Sequence, residues 1–178
     1  MGFQNSRNLY IRRFVFVIIV VFSAVFGHSR GLIPQIDGVS AMILVPLVVS
    51  IAMFERSFIG MLYGAFAGIL WDMFSVTADG YFAIVLATVG FFSGMIITFH
   101  LRNNIISAFI LSFVATSVCV FGYWIFFILG NSYTDAVYIL QRYYLPSIPY
   151  TMVFVAIYYY IIALIFKLTI VKKRKITY

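Results

Sequence analysis

The residues of this chain that could do chemistry are few and lie far apart. Cys119 is the only cysteine, so the chain can form no disulfide within itself. The two histidines, His28 and His100, have no cluster of cysteines or carboxylates beside them in the sequence. Catalysis by paired carboxylates, by a nucleophile with a base, or by a metal-bound water needs such groups close together. We therefore expect a protein that is not an enzyme, with no catalytic residue, no cofactor and no metal ion.

One aspartate ends the most informative pattern, a series of glycines. Gly60, Gly64 and Gly68 recur every four residues, and Asp72 continues the series. On a helix these positions share one face, and glycine lets another backbone approach closely. The groove is predicted to hold either a second helix of this chain or a separate protein. Asp72 is predicted to be either an exposed or helix-capping carboxylate at the helix end, or a buried anchor that accepts hydrogen bonds.

Three further glycines follow this pattern. Gly80 lies where the chain must turn into the next apolar run, and is predicted to supply a positive φ or a close approach. Gly90 and Gly94 then repeat the four-residue spacing. We interpret these glycines, with the preceding series and Asp72, as helix-packing or partner-binding residues. Packing of one glycine face on the other is the simplest arrangement.

The composition indicates which elements position these residues. Hydrophobic residues make up 64% of the chain and charged residues 10%, against roughly 25% charged residues in ordinary soluble domains. So few charges cannot cover a soluble globule, whereas a lipid shell accommodates an apolar surface. The net charge of +7 lies in tails and short connections. It favours anionic lipids as partners rather than nucleic acid.

The apolar runs predict an all-α integral membrane protein, a six-transmembrane-helix bundle that forms one domain over residues 1–178. A helix needs about 20 residues to cross a bilayer. The predicted spans are 9–27, 38–54, 57–74, 82–99, 105–129 and 147–166, with an interfacial helix over 132–145.

The positions of the basic residues predict the orientation. Apart from Arg30 and Arg142, all basic residues fall on one side of the six predicted spans, including Arg12 and Arg13 near the start. Basic residues mark the cytoplasmic side, so both termini are predicted to be cytoplasmic. The C-terminal cluster would contact anionic lipid or a cytoplasmic partner; it consists of Lys172, Lys173, Arg174 and Lys175.

The segment GAFAGILWDMFS at residues 64–75, with the glycines that follow it, resembles the rod shape-determining protein MreD family. Trp71 and Met73 stand where that family often has leucines around the aspartate. The resemblance implies a non-enzymatic scaffold of the cell-elongation machinery in the bacterial inner membrane. Such a scaffold would bind MreC. In a larger complex with RodA and its transpeptidase partner, it would help couple MreB filaments to peptidoglycan synthesis.

The family's helix arrangement is similar to that of the substrate-binding S-components of energy-coupling-factor transporters. This similarity gives an alternative prediction for the function of the chain. An S-component that binds a vitamin would share the size, the six helices and the glycine-rich packing. It would need polar side chains around a pocket near the outer surface. The sequence offers only Asn131, Gln141, Arg142 and several tyrosines there, so the scaffold is favoured.

Overall fold

The protein is described by a computed structural model over residues 3–29, 41–75, 80–100, 103–129 and 136–171. Every regular element in these ranges is helical, as predicted. The helices are α1 (Phe3–His28), α2 (Leu44–Glu55), α3 (Ser57–Phe74), α4 (Tyr81–Phe99), α5 (Ile105–Tyr123), α6 (Ala136–Ile139) and α7 (Ser147–Val171). A π-helical segment, Trp124–Leu129, extends α5, and a second, Leu140–Tyr144, extends α6.

Five helical stretches are long and apolar enough to cross a membrane, which is consistent with a multi-pass membrane protein. They are Leu9–His28, Ser57–Phe74, Tyr81–Phe99, Ile105–Phe127 and Leu140–Thr169. The last of these joins the end of the predicted interfacial segment to α7; residues 132–135 of that segment lie outside the described ranges.

Residues 38–40 of the second predicted span lie outside the described ranges, and its described part contains the short helix α2. α2 has 12 residues and is therefore about 18 Å long, well short of the roughly 30 Å of a bilayer core. Residues 41–53 are all buried, and α2 contacts α1, α3, α4, α5 and α7. Pro46 lies in its first turn, where the missing N–H would have no intrahelical partner in any case. α2 is thus a short helix at the centre of the bundle, enclosed by the helices that it contacts.

Contacts between helix ends define two ends of the bundle. Arg12 of α1 pairs with Glu55 of α2 and lies over the ring of Phe166 in α7; we call this the Arg12 end. At the opposite end, His28 of α1 packs edge-on against Trp71 of α3; we call this the Asp72 end. α1 and α3 therefore run in the same direction, and the last turns of α7 lie beside the first part of α1.

A single residue connects α2 to α3. Arg56 has φ 128° and ψ 161°, a backbone conformation that is essentially restricted to glycine. α2 and α3 therefore form a tight helical hairpin. Because only Arg56 separates Glu55 from Ser57, the first turn of α3 lies at the Arg12 end.

Polar side chains of α7 link it to other helices. The Tyr158 hydroxyl donates to Ser23 Oγ at 2.9 Å, and the Met42 backbone N–H donates to Thr151 Oγ1 at 3.0 Å. Such bonds satisfy polar groups that would otherwise be unpaired in an apolar interior. They attach α7 to α1 and to the segment before α2.

Candidate functional site

Asp72 caps the N-terminus of the neighbouring helix. Its Oδ2 accepts a hydrogen bond from the Ala83 backbone N–H at 2.9 Å, and its Oδ1 accepts one from the Phe82 backbone N–H at 3.2 Å. Both N–H groups lie in the first turn of α4 and have no partner within the helix. A carboxylate at this position also interacts favourably with the helix dipole. The half-buried side chain of Asp72 therefore joins the end of α3 to the start of α4.

Gly80 provides the backbone conformation that this cap requires. Its φ of 81° and ψ of 2° lie in the left-handed region, as one of the two predictions for this residue proposed. Among the described residues, a Cβ atom on Gly80 would meet no other atom within 4 Å. Glycine is therefore favoured here by conformation rather than by space. The preceding residues, 76–79, lie outside the described ranges.

The middle of the glycine series lies against the backbone of α4. A Cβ on Gly64 would overlap with the carbonyl oxygen of Leu86, and a Cβ on Gly68 would overlap with the carbonyl oxygen of Phe82. Backbone atoms cannot move aside as a flexible side chain can. At these two positions only glycine allows α3 and α4 to pack at this distance.

The glycines of the two helices also meet each other. A Cβ on Gly60 would lie 2.7 Å from the carbonyl oxygen of Gly90 and 2.6 Å from the Cβ of Ala52 in α2. Further along α4, a Cβ on Gly94 would lie 2.7 Å from the Cα of Ser57. α4 thus occupies the groove on α3 along its whole length. A separate protein has no space at these glycines while the two helices remain packed.

A buried ion pair at the Arg12 end was not predicted. Arg12 Nε lies 2.5 Å from Glu55 Oε1, and the two side chains are 9% and 3% exposed. The Arg12 guanidinium also lies 4.7 Å from the centre of the Phe166 ring, a distance at which a cation–π interaction is favourable. The sequence places Arg12 among the basic residues of one predicted side but indicates no partner for it. The available signal for the pair was that Arg12 lies near the start of the first apolar run and Glu55 directly follows the second.

The remaining predicted site residues fall into two groups. The basic cluster at residues 172–175 and Asn131 lie outside the described ranges. Gln141 and Arg142 are exposed on the π-helical segment after α6. Among the described residues, no group of three or more histidines, cysteines and carboxylates is placed to hold a metal ion.

No family model, curated protein or solved structure matches the chain. The resemblance to the MreD family therefore depends on the residues of the α3–α4 hairpin, whose geometry is given above.

Proposed function

We propose that this chain is a non-enzymatic scaffold of the bacterial inner membrane, with both termini in the cytoplasm, that acts in cell elongation. It would bind MreC and, with RodA and its transpeptidase partner, help couple MreB filaments to peptidoglycan synthesis. The observation that carries this proposal is the segment GAFAGILWDMFS with its following glycines. These residues resemble the MreD family, and they also fix the α3–α4 hairpin.

The use of charged groups within the described helices supports a structural role. Asp72 caps α4, and Arg12 and Glu55 pair with each other. Interactions of this kind hold helices in fixed relative positions, which a scaffold needs in order to present a constant surface to its partners. Since α4 fills the glycine groove, a partner helix would meet another face of the bundle.

The test is affinity purification of the tagged full chain from membranes of its own bacterium in mild detergent, followed by mass spectrometry of all retained proteins and small molecules. We expect recovery of MreC together with RodA or its transpeptidase partner. Gly64→Leu should lower this recovery by separating α3 from α4. Met73→Leu is the matched control: it lies in the same segment, is 76% exposed, and restores a residue common in the family.

Two results would contradict the proposal. Recovery of ATPase subunits with a bound small molecule would favour the S-component of a transporter. Equal recovery of the elongation proteins with Gly64→Leu, from protein shown to be correctly folded, would mean that the hairpin has no part in assembly.

A further inference from the structure

An open apolar groove lies between α1 and α3 in the half of the bundle near the Arg12 end. Its volume is about 470 Å³, and its walls are formed by Val17 of α1 and by Phe58, Ile59, Leu62 and Phe66 of α3, together with Tyr63 and Arg13. Phe58 and Leu62 are 64% and 52% exposed. The groove is therefore open at the surface of the bundle rather than enclosed within it.

Among the described residues that line the groove, one is charged: Arg13, at the rim. Arg13 is exposed, whereas the neighbouring Arg12 is buried and paired with Glu55. Among the described residues that line the groove, none is acidic, so no carboxylate there neutralises Arg13. An exposed arginine beside an apolar surface is complementary to a phosphate group, which a guanidinium can bind through two parallel hydrogen bonds.

The position of α1 on α3 is held firmly at this level. The Tyr63 hydroxyl donates to the backbone carbonyl of Arg13 at 3.0 Å, and the ring of Phe16 packs edge-on against that of Tyr63 at 6.0 Å. These contacts hold α1 against α3 beside the groove, and Tyr63 itself lines it. The Arg13 backbone is thereby fixed while its side chain stays accessible.

The walls favour a flexible chain over a helix as the occupant. Membrane helices associate closely where small residues let their backbones approach, and here the walls consist of large side chains. An acyl chain needs no backbone approach and can follow an irregular apolar groove. We infer that this groove binds an anionic phospholipid, with one acyl chain against α3 and the headgroup phosphate at Arg13. This inference does not depend on the proposed function.

The test uses the purified full chain in detergent and native mass spectrometry, with phosphatidylglycerol and phosphatidylcholine as the two probes. We expect phosphatidylglycerol to bind more tightly, and Arg13→Gln to weaken it about tenfold, the size of a lost charge-assisted contact. Lys167→Gln is the charge-matched control: it removes one exposed positive charge at the same end, outside the groove. It should change the affinity by no more than about twofold, because salt screens distant exposed charges.

A second pair of variants tests the acyl chain. Leu62→Trp fills the groove, whereas Ile110→Trp places the same ring on α5 at a site of equal exposure, 52%. We expect Leu62→Trp to weaken binding of both lipids and Ile110→Trp to leave both unchanged. If Leu62→Trp does not fold, the Arg13 and Lys167 pair decides the question alone.

Three outcomes would overturn the inference. An equal loss of phosphatidylglycerol affinity with Arg13→Gln and Lys167→Gln would indicate non-specific attraction between the lipid and positive charge. Unchanged lipid binding in folded Leu62→Trp would place the lipid elsewhere. Release of a co-purified protein by these variants, with lipid binding unchanged, would assign the groove to a partner helix.

Discussion

Arg12 and Glu55 each bring a full charge into the interior, and each depends on the other. A buried charge that loses its partner keeps its desolvation cost, so removing one member is far more damaging than the net value of the pair suggests. The pair also joins α1 to the end of α2, directly before the strained residue Arg56. It therefore fixes where three helices meet.

We expect Glu55→Gln to lower the free energy of unfolding by about 3–5 kcal/mol, because Arg12 would remain buried without a counter-charge. The double variant Arg12→Gln with Glu55→Gln should lose much less than the sum of the two single variants. Reversible unfolding in mixed detergent micelles measures all of these values. Additive losses would show that the two side chains do not interact.

At the other end, Asp72 stabilises the fold by accepting hydrogen bonds from two backbone N–H groups rather than by pairing with another charge. Asp72→Ala should lower the free energy of unfolding by about 1–2 kcal/mol, since it leaves the first turn of α4 uncapped. Asp72→Asn should cost less, because one acceptor oxygen remains. Ser75→Ala is the control: the bond that Ser75 makes to Asp72 uses its backbone N–H. Similar unfolding curves for all three variants would contradict the capping role.

The α3–α4 hairpin is the most tightly packed pair of helices described. Its two glycine faces bring backbone against backbone, and Asp72 and Gly80 close the connection at one end. Close packing of this kind gains dispersion contacts over the whole interface and depends on every glycine in it. The hairpin is thus expected to respond to single added methyl groups.

Gly64→Ala should lower the free energy of unfolding by about 1–3 kcal/mol, because its methyl group would overlap with the backbone carbonyl of Leu86 and overpacking strains the interface. Gly27→Ala is the matched control. There the added methyl group would meet the end of the Ile43 side chain, which can shift by a bond rotation, whereas the backbone of Leu86 cannot. An equal effect of the two substitutions would show that the close approach at Gly64 is not the cause.

Across the bundle, the chain returns to the end from which it starts. The contact of Arg12 with Phe166 places the last turns of α7 beside the first part of α1. The basic residues at both termini favour the same compartment. Together these two observations support the proposed cytoplasmic position of both termini.

We therefore expect reporter domains fused to either terminus to report the cytoplasm. A reporter inserted after Ser75 in the otherwise complete chain, at the Asp72 end, should report the opposite face and serves as the control. The measurement is paired fluorescence and alkaline phosphatase activity in whole cells. Termini on opposite faces would contradict this arrangement and would require an odd number of crossings.

The long apolar runs and the glycine spacing could be predicted because they are local properties of the sequence. Asp72 and its partners Phe82 and Ala83 are also near in sequence, so a capping role was among the expectations. The pairing of Arg12 with Glu55 could not be derived, because it depends on how separate helices are arranged. The enclosure of α2 could not be predicted for the same reason, since an apolar run does not reveal whether lipid or protein surrounds it.

The enclosure of α2 has a consequence for how the protein is made. Leaving the translocation channel for lipid requires a segment long and apolar enough to be stable there alone. α2 has 12 residues, and its neighbours α3, α4, α5 and α7 are all synthesised after it. We expect α2 to reach its final position only when these helices surround it. The centre of the bundle would then be completed last, although it is the second helix to be synthesised.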